Sequence, residues 1–316
     1  MKIKKLWKHN TIGSKYVVGG RKVNLVDEDW DILVILDACR YDIFRGVYKD
    51  VFENDDKITL KKAISPATWT MEWLNKIFGE NFYEDIIYIS ANPFINSKEK
   101  VCFKPRYGKM ECFDAKKHFF KIVDVWDFGW NDDLGTVHPS QVNKAFVKFY
   151  LKYPKKRFIL HYMQPHQPYI TIGGDNYGIP KIGKSDRDLT SSSIYKKFSR
   201  VKLKEVAQKY LSQVQIWKIK ELFGLPPTSN IERIYRMHGK KGMIAVYKQE
   251  IILALRYIKM LVDSISANWL ITSDHGERIG NFWKDSHSGP RDKEVIEVPW
   301  LIIKNRDIDV ITSGYK

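Results

Sequence analysis

The sequence predicts an α/β fold in which a mostly parallel sheet is covered on both faces by helices. Three observations point there. Five short apolar runs, "DILVIL" (31–36), "DIIYIS" (85–90), "RFILHYM" (157–163), "NWLITS" (268–273) and "VPWLIIK" (298–304), are continuous rather than alternating, as strands buried on both faces are. Helical-period patterns lie between some of them; in "YKQEIILALRYIKMLVDSI" (247–265) the apolar positions 251, 255, 258, 261 and 265 share one face. Finally, 316 residues with 44% hydrophobic and 14% aromatic content suffice for one large domain with a sizeable core and argue against general disorder. There is no internal repeat.

Residues 171–245 differ from the rest. They open on Gly173, Gly174, Gly178 and a serine run, then turn lysine-rich, and an amphipathic helix is predicted with Leu203, Val206, Tyr210, Val214 and Trp217 on one side. Residues 181–245 hold 15 Lys/Arg against 5 Asp/Glu, about two thirds of the whole chain's net charge of +16. This reads as an inserted basic, mainly helical subdomain or lid within a single domain spanning 1–316. Such charge suits a polyanionic partner: an anionic polymer, an acidic membrane surface or nucleic acid. A solvated helical face with no partner, in a lysine-rich proteome, is the plain alternative. No zinc finger, RRM signature or helix-turn-helix pattern supports nucleic acid.

Cys39, Cys102 and Cys112 have no C-x-x-C spacing and do not read as a disulfide framework or zinc knot. A reducing interior is the simplest expectation. The opening "MKIKKLWKHNTIGSKY" is basic without the apolar run of a signal peptide, and no segment reaches the roughly 18 apolar residues of a membrane span. The expected location is therefore cytoplasmic, with contact to an anionic membrane surface through charge. The oligomeric state is open.

In open α/β sheets ligands bind beyond the carboxyl ends of the strands. Here the reactive residue types gather at those ends. "DILVIL" runs into Asp37, "RFILHYM" contains His161 and leads to His166, and "NWLITS" ends in Asp274 and His275, with His287 following in "DSHSGPR". Each residue alone has an ordinary reading, a turn aspartate or a satisfied histidine. Their joint placement brings carboxylates and imidazoles to one rim. Oxygen and nitrogen ligands without thiolates suit Zn²⁺, Mn²⁺ or a similar divalent ion.

The succession "LVILDACRYD", "SPATWTMEWL", "HYMQPHQPY", "ITSDHGE", "HSGP" and "VPWLII" resembles the alkaline phosphatase superfamily, and more closely its sulfatase-like branch. The resemblance covers residues 30–170 and 245–305. It implies an alkaline-phosphatase-like three-layer αβα sandwich and hydrolysis or transfer of phosphate or sulfate esters at one or two divalent ions (Zn, Mn, Mg or Ca). It further implies that Asp37, Asp274 and His275 ligate one metal, and that the nucleophile lies at a helix start after the first strand. In "SPATWTMEWL" that role falls on Thr70, with Thr68 as runner-up. A bound cation can lower the pKa of a threonine hydroxyl, and helix-start N–H groups favour an anionic ester. The ordinary reading of Thr70 is a helix N-cap, with Glu72 in the first turn.

The chain departs from the family pattern twice. No cysteine fits C-x-P-x-R, the source of a sulfatase formylglycine, although "CFKPR" at Cys102 comes within one residue; a threonine nucleophile points to phosphoryl chemistry. Two-metal members place an Asp four residues before a His, and four before His166 stands Tyr162. His166, His287 and His161 are thus candidates to bind the transferring group or a second metal. Arg40 is another, through its bidentate fork, unless it pairs with Asp42. Asn92 follows a strand end, where an Asn-Pro turn is the better reading than a substrate donor. The expected activity is phosphoester hydrolysis or transfer on an anionic glycan, lipid head group or polymer, gathered by Lys196, Lys197, Lys202 and Lys204. The rivals are a sulfoester hydrolase without formylglycine and a non-catalytic polyanion-binding protein that keeps the fold.

Overall fold

The structure is a computed structural model that describes residues 15–53, 55–105, 109–173, 213–279 and 289–304. Its strands are β1 (Tyr16–Val18), β2 (Arg21–Val23), β3 (Ile32–Leu36), β4 (Ile58–Ile64), β5 (Tyr83–Ser90), β6 (Val101–Phe103), β7 (Glu111–Phe113), β8 (Phe119–Asp124), β9 (Trp130–Asn131), β10 (Thr136–Val137), β11 (Arg157–Tyr162), β12 (Trp269–Thr272) and β13 (Glu297–Ile303). Its helices are α1 (Tyr41–Arg45), α2 (Thr70–Phe78), α3 (Val125–Phe128), α4 (Pro139–Lys152), α5 (Gln213–Leu222), α6 (Asn230–Ser264) and α7 (Lys293–Ile296).

Nine strands form one sheet in the order β2-β1-β4-β13-β12-β3-β11-β5-β8. The five from β12 to β8 are mutually parallel, and the other four join antiparallel. All five apolar runs of the sequence are strands of this sheet, and four of them sit in its parallel part. The short or half-exposed strands escaped sequence reading because they lack a continuous apolar run. β4, "ITLKKAI", turns two lysines outward, and β8, "FFKIVD", lies at the edge.

β3 shows why continuous apolar runs were needed. Ile32, Val34 and Leu36 belong to a core on one face of the sheet, and Leu33 and Ile35 to a core on the other. α4 and α6 close the first core with Phe146, Ile251, Leu255 and Ile258; α2 closes the second with Trp73, Leu74, Ile77 and Phe78. Each fully buried side chain of this size contributes roughly 1.5–3 kcal/mol. The result is the three-layer αβα arrangement.

The basic region is described only from residue 213. Leu203, Val206, Tyr210 and the lysines at 196, 197, 202 and 204 lie outside the described residues. Of the predicted amphipathic face, Val214 packs partly and Trp217 is buried against the core. Residue 245 falls inside α6, whose one backbone break is at Gly239, in the left-handed region at φ 58°. Among the described residues, no helix is long and apolar enough to cross a membrane.

Cys102 and Cys112 form a disulfide, which corrects the expectation that the cysteines have no such role. The spacing did not reveal it because the pairing is made by the antiparallel β6–β7 ribbon, which sets the two residues directly opposite. Cys39 is buried and unpaired.

Candidate metal centre and nucleophile

β12, β3, β11 and β5 are parallel neighbours, so the residues just past their ends arrive at one rim. β3 delivers Asp37, β5 Asn92, β11 His161, and β12 Asp274 and His275. β4 is antiparallel to β13, which is antiparallel to β12, so β4 also ends at this rim. From there Ser65 to Trp69 lead into α2, and Thr70 is its first residue. Ser65 fixes the crossing: its hydroxyl donates to the Asp274 carbonyl.

Ligand atoms of Asp37, Asp274 and His275 lie within 4.8 Å of one another, and all three residues are buried. The Thr70 hydroxyl donates to Asp274 Oδ2 across 2.8 Å and stands 3.4 Å from His275 Nε2. The cap reading of Thr70 does not hold, since Trp69 occupies the N-cap position. Thr68 is engaged elsewhere: its hydroxyl and backbone N–H both meet Glu72 Oε2, at 3.1 and 2.7 Å.

The local backbone is shaped to bring these groups together. Ala38 adopts φ 59°, a conformation non-glycine residues rarely take, and its N–H donates to Asp274 Oδ1 at 3.1 Å. The His275 N–H donates to the same oxygen at 2.9 Å. Gly276 is needed for close approach, because a Cβ there would lie 2.2 Å from the Glu294 carbonyl oxygen. Beneath the site the Tyr16 hydroxyl donates to the Ser273 carbonyl at 2.8 Å, and Trp73 Nε1 donates to Tyr16 at 2.6 Å.

The electrostatics match a cation site. Asp37 and Asp274 are 2% and 0% exposed, and among the described residues neither pairs with a lysine or arginine; the basic side chains beside them are histidines. A buried carboxylate pair needs compensating charge. His275 Nδ1 lies 2.9 Å from the Gly276 carbonyl, which can only accept, so Nδ1 donates there and Nε2 is the nitrogen turned toward the carboxylates. Burial alone would raise the Asp37 pKa, but the bond from His161 and the fields of His166, His161 and His275 hold it well below the carboxylate range.

A surrounding set of residues orients these groups. Asn92 Nδ2 donates to Asp37 Oδ2 at 2.6 Å, while its Oδ1 accepts from the Phe94 N–H at 2.9 Å. The Asn-Pro turn expected from sequence is therefore present, and it also aims the carboxylate, a role that only the fold could show. His161 is fully buried, with Nε2 3.5 Å from Asp37 Oδ2 and Nδ1 2.9 Å from the Tyr88 hydroxyl. His166 is half-buried nearby. Burial opposes its protonation, but the charges of Asp37 and Glu277, the Gln167 carbonyl and Asp274 together raise its pKa. Tyr162, at the position of a second-metal aspartate, bonds instead to Asn143 Oδ1 at 2.7 Å.

Two candidates stand apart. Arg40 grips Asp42 with Nε and Nη2 at 2.9 and 2.7 Å and reaches Glu294 with Nη1 at 3.0 Å. This is the ion-pair alternative, and it engages all three guanidinium nitrogens. His287 lies outside the described residues.

No family model matches the sequence, and no curated protein does. Solved structures do. The integral membrane lipooligosaccharide phosphoethanolamine transferase A (EptA) from Neisseria meningitidis is 11% identical, over 93% of this chain and 50% of that one, with a TM-score of 0.45. The C-terminal periplasmic domain of the phosphoethanolamine transferase EptC from Campylobacter jejuni is 14% identical, over 86% and 77%, at 0.43. The corresponding EptC domain from Escherichia coli, in complex with Zn, is 10% identical, over 93% and 76%, at 0.43. The chain thus spans half the length of the full EptA structure. At these identities the likeness concerns the general fold and assigns no activity.

The cytoplasmic expectation is corrected here. Two of these structures are described as periplasmic domains, and this chain itself carries the Cys102–Cys112 disulfide, a bond characteristic of oxidising compartments.

Proposed function

We propose that this chain is a metal-dependent phosphotransferase acting on a phosphoester through Thr70. The observation that carries the reading is the contact between the Thr70 hydroxyl and Asp274 Oδ2, beside His275 Nε2 and Asp37. Asp37, Asp274 and His275 are the residues that would hold a divalent ion. They fit one: two buried carboxylates that among the described residues have no lysine or arginine partner, and an imidazole whose Nε2 is turned toward them. Such an ion, when bound, supplies positive charge that favours the threonine alkoxide and the anionic ester.

The chain's own groups account for the rest of the step. Thr70 Oγ1 attacks phosphorus, its proton passing along the existing hydrogen bond to Asp274 Oδ2, while the bond from phosphorus to the leaving oxygen breaks. The N–H groups of the first turn of α2, which Thr70 opens, favour negative charge on the phosphoryl oxygens. His166, whose pKa the charges of Asp37 and Glu277 raise, would donate to those oxygens. The leaving oxygen takes a proton from solvent and departs as an alcohol, leaving a phosphorylated Thr70. A second alcohol or water then attacks phosphorus and gives its proton to solvent, while the released Thr70 oxygen recovers its proton from Asp274. Most of the work is positioning and electrostatic stabilisation. Phosphoethanolamine transfer, the activity named for the structures above, belongs to this reaction class.

The deciding experiment presents a phosphomonoester, a phosphodiester and a sulfate ester to the protein with added Mn²⁺, Zn²⁺ or Mg²⁺, beside Thr70→Ala. Metal-dependent turnover of a phosphoester, absent in Thr70→Ala, together with an intact-mass adduct on Thr70 is the expected result. Turnover of the sulfate alone would replace phosphoryl by sulfuryl chemistry. Stoichiometric metal without any turnover would favour a binding protein.

A further inference from the structure

The end of α5 is built unlike an ordinary solvated surface. Residues 221–226, "ELFGLP", are all exposed, with Leu222 at 87%, Phe223 at 76% and Leu225 at 51%. Ile219 at 43% and Met237 at 67% extend the same apolar character onto α5 and α6. Large apolar side chains are scattered singly on most soluble surfaces; five within one helical hairpin mark an interaction site.

The hairpin tip is rigidly held. α5 closes in a Gly-terminated turn: Gly224 has φ 65°, the Gly224 N–H donates to the Glu221 carbonyl at 2.9 Å, and the Leu225 N–H to the Lys220 carbonyl at 2.8 Å. Behind it the fully buried Glu232 accepts from Lys220 at 2.6 Å and from Thr228 at 2.8 Å, and it pairs with Arg236. Arg236 reaches back to the Leu225 carbonyl at 2.7 Å. Truncating Glu232 would leave two cations without their buried partner, so this network ties the turn to α6. The buried side chains of the hairpin, Trp217 and Ile231, face the core, while Leu222, Phe223 and Leu225 face away.

The hairpin carries net positive charge. Between residues 213 and 245 stand six Lys/Arg and two Asp/Glu, and Lys218, Arg233 and Lys241 are exposed. Apolar side chains projecting from a basic hairpin match the chemistry of an anionic bilayer, where rings and leucines enter the acyl boundary and lysines meet the phosphates. A protein groove would not call for that charge, and nucleic acid would not call for exposed aliphatic side chains.

We propose that the α5–α6 hairpin is a membrane-docking element that inserts Leu222, Phe223 and Leu225 into an anionic lipid surface. The inference stands apart from the chemistry at Thr70, although it would deliver a phosphotransferase to lipid-borne substrate.

The test is sedimentation of the purified chain with vesicles of pure phosphatidylcholine or of phosphatidylcholine mixed with phosphatidylglycerol, at low and high salt. The wild-type chain is expected to bind the anionic vesicles, and Leu222→Asp/Phe223→Asp to lose at least about tenfold in binding. Lys218→Glu/Arg233→Glu should weaken binding mainly at low salt. Absence of wild-type binding, or binding unchanged in the apolar variant, would overturn the proposal. So would a melting temperature lowered by Leu222→Asp/Phe223→Asp, which would mean that the tip is covered within the chain. Conversion of a dimer to a monomer by that variant would assign the tip to a second copy instead. Turnover of a soluble phosphoester, measured on the same samples, reports the Thr70 chemistry separately.

Discussion

The Thr70 hydroxyl and Asp274 Oδ2 lie 2.8 Å apart although 204 residues separate them in the chain. Their contact requires β4, α2 and β12 to be in register at one rim, and it sets the proposed nucleophile against a carboxylate that could accept its proton.

Replacing Thr70 by alanine should reduce turnover at least about a thousandfold, while Thr70→Ser keeps a measurable fraction. Both variants should melt within a few degrees of wild type, since Thr70→Ser removes one methyl, and Thr70→Ala a methyl and a hydroxyl, from a single position. Initial rates with saturating metal and differential scanning fluorimetry check the pair of outcomes.

Asn92→Ala removes the donor to Asp37 Oδ2 and the acceptor for the Phe94 N–H. Metal affinity should fall by roughly 10- to 100-fold, the usual range for a residue that orients a ligand. Calorimetric titration with Zn²⁺ or Mn²⁺ measures it, and affinity equal to wild type would show that Asn92 serves the turn alone.

Glu72 gives a pH-dependent prediction. Burial raises its pKa, but the bonds from Lys76 and from the Thr68 N–H and hydroxyl outweigh that, and the net pKa is lowered in the folded state. A lowered carboxyl pKa stabilises the fold fully above the ordinary glutamate value, roughly 4.3, and the contribution fades as pH falls through the folded-state value. Glu72→Gln should therefore cost about 1 kcal/mol at neutral pH and converge with wild type in acid. Denaturant melts at several pH values test the convergence.

Gly276→Ala should be severely destabilising, by about 3 kcal/mol or more. Its Cβ would meet the Glu294 carbonyl oxygen at 2.2 Å and Arg40 Cγ at 3.3 Å. The cause is backbone against backbone, which no rotamer change relieves. A wild-type melting temperature in this variant would show that the Asp274–Gly276 turn can move.

Much of the architecture was readable because its signals are local. A strand buried on both faces must be apolar at every position, as Ile32–Leu36 is, and a helix against one core must repeat at its own period, as Ile251, Leu255 and Ile258 do. Parallel neighbours then carry their terminal residues to the same edge, so Asp37, Asp274 and His275 could be grouped before any coordinates. What the sequence could not decide is which atoms meet, because that depends on how distant segments cross. That the Thr70 hydroxyl meets Asp274 while that of Thr68 meets Glu72 is one such contact. Arg40 was claimed by Asp42 and Glu294, and Cys102 by Cys112 across a ribbon whose strands carry no strong pattern. Periodicity is written residue by residue along the chain; contact is set by strand order and register between residues hundreds of positions apart, and only the folded sheet contains it.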